Sequence, residues 1–277
     1  NMEMILMKIA ILGAAGRMGE NLLRCAGKFE QCEIVAATER PGHPAIGSRV
    51  KAVCGALMNV EAIPDDLCYT DQWPGQAEAV IDFTFHTTVT DHLANAVKNG
   101  QAYVLGTTGL TDAEKQSVHE AAAKIPIVWA PNMSLGVNLL FELVRRSAAV
   151  LGPDYDAEIV EMHHRLKKDA PSGTALGLAE ALAVGRGVDL KEVACYGREG
   201  MPGERPRGEI GIHALRGGAV VGDHTVMFVA DEERIELTHR ANSREAFATG
   251  ALRAALWLQG RAPGIYTMRH VLGFESV

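Results

Sequence analysis

The chain has 277 residues, of which 47% are hydrophobic and 22% charged, and its formal net charge is −7. These values fit a soluble globular protein of about two domains and argue against a disordered chain. The acidic balance argues against nucleic-acid or anionic-membrane binding, and no run reaches the roughly 18 uninterrupted apolar residues of a membrane span.

The opening NMEMILMKIAILGAAG is apolar, but Glu3 and Lys8 are badly placed for a signal peptide and a glycine-rich turn follows at once. Met7 onward therefore reads as a first strand, and Asn1, which is no initiator, as a processing remnant. The five cysteines, Cys25, Cys32, Cys54, Cys68 and Cys195, are scattered and form no CxxC pair. They read as reduced structural thiols of a cytoplasmic protein without a zinc or iron–sulfur site.

In chain order, residues 8–12 form an apolar strand that ends in Gly13, and a helical pattern follows to about Ala26. Strands are expected at 33–37, 79–83, 102–105 and 126–129, with helices at 88–98 and 112–123 between them. Strands alternating with helices of about ten residues imply βαβ units and a parallel, doubly wound sheet. After Pro131 the texture changes to an α+β pattern: a helix at 137–151, a strand at 155–162, a helix at 174–184, a Gly/Pro-rich loop at 197–208 and a strand-rich stretch at 209–238. The expected fold is therefore α/β: a Rossmann-like dinucleotide-binding domain over 7–134 and an α+β domain with a mixed sheet over 135–242. The last helix, 243–258, is assigned with the rest of 243–277 to the first domain.

Gly13-Ala14-Ala15-Gly16-Arg17-Met18-Gly19 follows a strand and opens a helix. Glycines at this spacing permit a tight turn, close approach to a pyrophosphate and close helix–strand packing, and a helix start attracts phosphate. Glu39 lies 20 residues beyond Gly19, at a strand end, where an acid can bind the adenosine ribose. Arg40 follows and could accept the 2′-phosphate of NADP, so the pair suggests use of both NADH and NADPH. Gly106-Thr107-Thr108 and Ala130-Pro131-Asn132-Met133 also stand at C-terminal strand ends, where ligands bind in open α/β sheets.

The stretch EMHHRLKKDAPSGTA, residues 161–175, gathers His163, His164, Lys167 and a helix start at Ser172. Neighbours on a strand point to opposite faces, so one histidine can serve as an acid while the other touches substrate. Lys167 can swing toward the same pocket. The N–H groups of Gly173 and Thr174 suit a carboxylate. Together they suggest a receptor for a small anion beside a proton donor. The two histidines diverge and lack a third ligand, so no metal is expected.

This segment resembles the motif E-x-H-H-x-x-K-x-D-A-P-S-G-T-A of the 4-hydroxy-tetrahydrodipicolinate (dihydrodipicolinate) reductases. KIAILGAAGRMG, VIDFT, VLGTTG, APNMSLGVN, VVGDHTVMF and RIELTHRANSR extend the likeness over nearly the whole chain. The resemblance implies reduction of a small cyclic dicarboxylate, 4-hydroxy-tetrahydrodipicolinate, by NADH or NADPH with loss of water, in lysine biosynthesis. It implies that His163 is the proton donor/acceptor and Lys167 the second proton donor, with His164, Gly173 and Thr174 on the substrate carboxylate. It implies cofactor contacts from Gly13 through Met18, Glu39, Arg40, Gly106 through Thr108, and Ala130 through Met133. It also implies that the second domain binds substrate and forms a homotetramer. The chain departs from the family's usual Arg-Pro or Ser-Pro at Phe85-His86, and its 45–58 loop is individual.

Two other readings share the plan. A semialdehyde or homoserine dehydrogenase would carry a nucleophilic cysteine or a different lysine/aspartate set, and none of the five cysteines stands at an obvious helix-start, strand-end site. A non-catalytic sensor of NAD(P)H would have no use for His163, Lys167 and a carboxylate site.

Overall fold

The structure, a computed structural model, describes residues 6–54 and 62–274, apart from the side chains of residues 53 and 54. Asn1, the Cys54 side chain and residues 55–58 of the individual loop lie outside the described residues. The chain divides into two compact units, Asn1–Leu135 with Arg244–Val277, and Gly136–Ser243.

The first unit opens with β1 (Met7–Leu12), α1 (Arg17–Ala26), β2 (Cys32–Thr38), α2 (Val50–Cys54) and β3 (Tyr69–Thr70). It continues with β4 (Ala79–Asp82), α3 (Val89–Asn99), β5 (Ala102–Leu105), α4 (Asp112–Ala122) and β6 (Pro126–Trp129). Among the described residues its seven strands, including a late one at Gly264–Tyr266, form a parallel sheet whose central order is β3-β2-β1-β4-β5-β6. That is the doubly wound order, with the reversal between β1 and β4, where ligands of such sheets bind at the C-terminal strand ends. The strands are apolar runs because both faces are covered. On β1, Ile9 and Ile11 share a core with Leu22 and Leu23 of α1, while Ala10 and Leu12 share another with Leu93 of α3 and Val118 of α4. The last turns of the chain complete this unit, as described below.

The second unit holds α5 (Leu135–Leu151, less its first residue), β7 (Asp156–His163), α6 (Gly173–Arg186), α7 (Leu190–Val193), β8 (Ala194–Tyr196), β9 (Ile210–Arg216), β10 (Gly222–Val229) and β11 (Arg234–Ala241). Its sheet, β11-β10-β7-β9-β8, is mixed: β7 runs antiparallel to β10 and parallel to β9. Strand β7 shows the two-residue period of a sheet covered on one side. Ala157, Ile159, Glu161 and His163 are buried, and Glu158, Val160 and Met162 between them are half-buried. Ala157 and Ile159 pack with Val144 of α5, Leu178 and Leu182 of α6, and Phe228 of β10. At the C-terminal end of β7 the same buried face turns polar, with Glu161 and His163.

The chain then returns to the first unit as α8 (Glu245–Trp257), β12 (Gly264–Tyr266) and α9 (Met268–Val271). Ala248, Ala251, Leu252 and Ala255 of α8 join the core that holds Leu22 and Leu23. A Cβ on Gly250 would lie 1.7 Å from the Met133 carbonyl oxygen, so α8 rests directly on the turn after β6. The short β3, β8 and β12 and the one-turn α7 and α9 carry too few residues for a readable period, which is why the sequence pattern passes over them. No described helix is long and apolar enough to cross a membrane.

Phe228 is wholly buried in the second unit's core. Phe228→Ala should lower the unfolding free energy by about 3–5 kcal/mol, read by urea denaturation. A loss well below that would mean the core does not rest on this ring.

Candidate active site

In the first unit the glycine turn is built as a close-approach device. Gly13 has a φ of +65°, a conformation glycine adopts without strain. A Cβ on Gly19 would lie 2.4 Å from the Gly13 carbonyl oxygen and 2.5 Å from the Ala14 Cα, so only glycine lets α1 pack this tightly on the turn. Gly16 is the N-cap of α1 and supplies no side-chain cap, which leaves the positive end of the helix open to an anion. The Glu39 carboxylate turns back to this loop, accepting the Ala15 N–H at 2.9 Å and the Arg40 N–H at 3.3 Å. A cavity of about 660 Å³ opens here, lined by Gly13, Gly16, Glu39, Arg40, Thr84 and Phe85 among others. Its volume and its lining by the glycine turn and Glu39 are those of a site that could hold a dinucleotide.

The turn after β4, on the wall of this cavity, and the turn after β5 hang from one carboxylate. Asp82, the last residue of β4, is fully buried. One of its carboxylate oxygens accepts the Thr84 N–H at 2.8 Å, the Thr84 hydroxyl at 2.6 Å and the Thr107 hydroxyl at 3.2 Å. The other meets His92 Nδ1 at 2.9 Å and the Tyr103 hydroxyl at 2.5 Å. Burial opposes its ionisation, but the bonds from His92, Thr84 and Tyr103 outweigh it and hold the carboxyl below its ordinary range. Thr84 in turn lies under Gly13, where a Cβ would come within 3.1 Å of the Thr84 methyl. Gly106 lies against the Phe83 ring, which a Cβ would meet at 2.2 Å. One aspartate thus fixes the turns after β4 and β5.

In the second unit the histidine–lysine stretch closes over another buried carboxylate. Glu161 is fully buried. His163 Nδ1 lies 2.6 Å from its Oε2, and Arg216 makes a two-point contact at 2.8 and 2.9 Å. The Ser172 N–H donates to Oε1 at 2.9 Å. Burial again opposes the charge, and Arg216, His163 and Ser172 outweigh it, holding the Glu161 carboxyl below its ordinary range. Ser172 caps α6 by accepting the Ala175 N–H at 3.1 Å, and its hydroxyl meets His224 Nε2 at 3.1 Å. The rings of His163 and His224 meet edge to face, 5.2 Å between centroids. Lys167 Nζ pairs with the Asp169 carboxylate at 2.9 Å, and Arg216 also donates to the Asp169 carbonyl at 2.7 Å.

The sequence-expected residues therefore fall into two groups, one per unit. Gly13, Gly16, Glu39 and Arg40 line the first cavity, whereas Ala14, Ala15, Arg17 and Met18 belong to the turn and helix start beside Gly13 and Gly16. Gly106, Thr107 and Thr108 follow β5 and Ala130, Pro131, Asn132 and Met133 follow β6, joined by the Ala130 N–H to the Leu105 carbonyl at 3.2 Å. Thr107, Ala130 and Met133 are buried, and Pro131 is exposed. His163 and Lys167 both lie in the second unit, the first on Glu161 and the second on Asp169, and Gly173 and Thr174 open α6 there. His164 lies just past the end of β7, and its Nδ1 is enclosed with no hydrogen-bond partner among the described residues. Asp82, Arg216 and His224 received no role from the sequence, because only the fold brings them to these sites. Glu161 had a signal: two residues before His163 on an alternating strand, it must share that residue's face.

At the departure from the family pattern, the exposed Phe85 ring lies 4.8 Å from the His86 ring, and His86 Nδ1 contacts the Glu114 carboxylate at 3.0 Å. Burial pushes the Cys32 thiol up to about 12 and raises that of Cys25, the opposite of an activated nucleophile. Among the described residues, no three His, Cys, Asp or Glu side chains are placed to hold a metal ion.

Comparison with known proteins matches the family description "Dihydrodipicolinate reductase, N-terminus" to residues 7–133 and "Dihydrodipicolinate reductase, C-terminus" to residues 136–272. The chain is 49% identical over 269 residues to a 4-hydroxy-tetrahydrodipicolinate reductase of Anaeromyxobacter dehalogenans (strain 2CP-C), covering 97% of this chain and 98% of the relative. It is 47% identical over 268 residues to the enzyme of the same name from Hahella chejuensis, covering 97% and 99%. Among solved structures it resembles a dipicolinate-bound dihydrodipicolinate reductase from Paenisporosarcina sp. TG-14, with TM-score 0.72, 25% identity and coverage of 95% and 98%. A likeness in fold alone extends to GenD2 of gentamicin A biosynthesis in complex with NAD, with TM-score 0.56, 13% identity and coverage of 97% and 90%.

The buried His224 yields a test of the second unit. Burial first, then the neighbouring His163, His239 and Lys167, push its pKa from 6.5 down to about 4, with Glu161 opposing. The folded ring stays neutral where the unfolded one takes a proton. Its stabilisation is therefore complete above pH 6.5 and lost as pH falls toward 4. The urea midpoint should fall across that window, and His224→Gln should flatten the fall. An unaltered slope in the variant would contradict the assignment.

Proposed function

The chain belongs to the dihydrodipicolinate reductase family, and from that premise we propose how its own residues carry the reaction. The reaction is the pyridine nucleotide-dependent reduction of 4-hydroxy-tetrahydrodipicolinate to tetrahydrodipicolinate, with loss of water, in the diaminopimelate route of lysine biosynthesis. When bound, the reduced nicotinamide supplies the hydride for ring carbon 4.

The chain's task in the second unit is to hold a dicarboxylate and deliver a proton. Departure of the 4-hydroxyl as water consumes one proton, so the site needs a donor. His163 is the proton donor/acceptor and Lys167 the second proton donor, so that two protons given and one taken leave the net uptake of one. The first turn of α6, at Gly173 and Thr174, receives a substrate carboxylate at the positive end of the helix, and the family resemblance adds His164 to the same contact. The observation that carries this reading is that one short segment sets His163 and a capped helix start on a single buried carboxylate, with Lys167 four residues after His163 held by Asp169. The dipicolinate-bound relative fits a cyclic dicarboxylate in such a site.

The first unit binds the nucleotide. Gly13 through Met18 receive the pyrophosphate, Glu39 the adenosine ribose, and the turns at Gly106 through Thr108 and Ala130 through Met133 the nicotinamide half. Glu39 and the exposed Arg40 stand side by side, which supports use of both NADH and NADPH. The family resemblance further supports a homotetramer formed through the second unit and a cytoplasmic place of action.

His163→Ala and Lys167→Ala should each lower kcat by roughly 10²–10⁴-fold, as for loss of a general acid, with cofactor affinity nearly intact. Turnover of either variant near the level of the unaltered chain would remove that residue's role. Arg40→Ala should weaken NADPH more than NADH in fluorescence titrations. Equal weakening of both would remove the 2′-phosphate contact.

A further inference from the structure

We propose that Glu161 is a positioning residue for the reduction: its carboxylate sets which nitrogen of His163 exchanges the proton, and ties that ring to the helix start that receives the substrate. The inference rests on the reading of His163 as the proton donor.

The geometry leaves the carboxylate little freedom. Glu161 Oε2 takes His163 Nδ1 at 2.6 Å and one Arg216 nitrogen at 2.8 Å. Its Oε1 takes the other Arg216 nitrogen and the Ser172 N–H, both at 2.9 Å. Arg216 is itself anchored by the carbonyls of Leu215 and Asp169, at 2.6 and 2.7 Å. Every group facing Glu161 in these bonds is a donor, and an ionised carboxylate only accepts. His163 Nδ1 must therefore carry a hydrogen in both protonation states of the ring, which makes Nε2 the nitrogen that gains and loses a proton.

The surroundings of Nε2 agree with that task. Gly222 stands beside it, and a Cβ there would lie only 2.9 Å from Nε2, so any side chain would crowd the nitrogen. The His224 ring packs edge to face against His163 and restrains its rotation, while His224 Nε2 meets the Ser172 hydroxyl. Ser172 thus bonds Glu161 through its N–H, and His224 and the first turn of α6 through its hydroxyl. Proton donor and anion receptor are held at a fixed separation by one carboxylate and one serine.

The test is the nitrogen spectrum of protein labelled with ¹⁵N-histidine, with His163 assigned by the signals lost in His163→Asn. At alkaline pH the unaltered chain should show His163 protonated at Nδ1 and bare at Nε2. Glu161→Gln replaces one acceptor oxygen by a donor, so a second form protonated at Nε2 should appear. The same variant should lose about 10²-fold or more in kcat, the scale seen when an orienting carboxylate is replaced, with NADH affinity unchanged. A wild-type ring bare at Nδ1, or a Glu161→Gln enzyme with undiminished kcat, would overturn the proposal. Should the variant fail to fold, the wild-type spectrum decides alone. That spectrum needs no turnover, so the proposal can fail on it while the reductase reading stands. Activity of the unaltered chain decides that reading separately.

Discussion

Enclosing the Glu161 carboxylate away from water is the constraint on which the second unit's site depends. A buried, unpaired carboxylate is destabilising by several kcal/mol, and the fold tolerates one only where donors surround it. Here the donors come from three places: the strand end at His163, the neighbouring strand end at Arg216 and the helix cap at Ser172, whose hydroxyl in turn meets His224 of β10. Meeting the carboxylate's demand therefore arranges the pieces that the chemistry needs. The loop carrying Lys167 is held by the same guanidinium, through the Asp169 carbonyl.

The first unit solves its own problem in the same way. Asp82 stands at the end of β4, beside the point where the strand order reverses, and is enclosed by Thr84, His92, Tyr103 and Thr107. Thr84 carries the turn after β4, which lines the first unit's cavity, and Thr107 the turn after β5. In each unit a charge is buried at the C-terminal end of a central strand, and satisfying it shapes loops that would otherwise be loosely determined. On the proposed reading this is a division of labour suited to a reductase: one unit would hold the nucleotide, and the other an acid beside an anion receptor.

Much of this was legible in the sequence where the signal is local. The strands at 102–105 and 126–129 have the expected bounds because short apolar runs between turn residues have few other solutions. The glycine turn could be read because steric need restricts Gly13 and Gly19. The histidine–lysine segment could be read because its cap, cations and imidazoles lie within fifteen residues. What was not legible depends on contacts distant in sequence. Arg216 lies 55 residues from Glu161, and His224 lies 52 from Ser172. Nothing near either residue announces its partner. Glu39 is instructive in another way: it was expected to face a ribose, and the structure has its carboxylate accept the Ala15 N–H, making it part of the glycine turn itself.

The most direct test of the central claim, that this chain is a working reductase of the lysine route, is a coupled assay. The unstable substrate would be made in place from pyruvate and aspartate semialdehyde by a separate synthase, and the absorbance of NADH and of NADPH followed on adding this protein. Oxidation that requires both the protein and the synthase product is the predicted result. Reduced nucleotide that binds yet is not oxidised in the presence of that product would contradict the account, and would leave the buried Glu161–His163 pair serving a different anion.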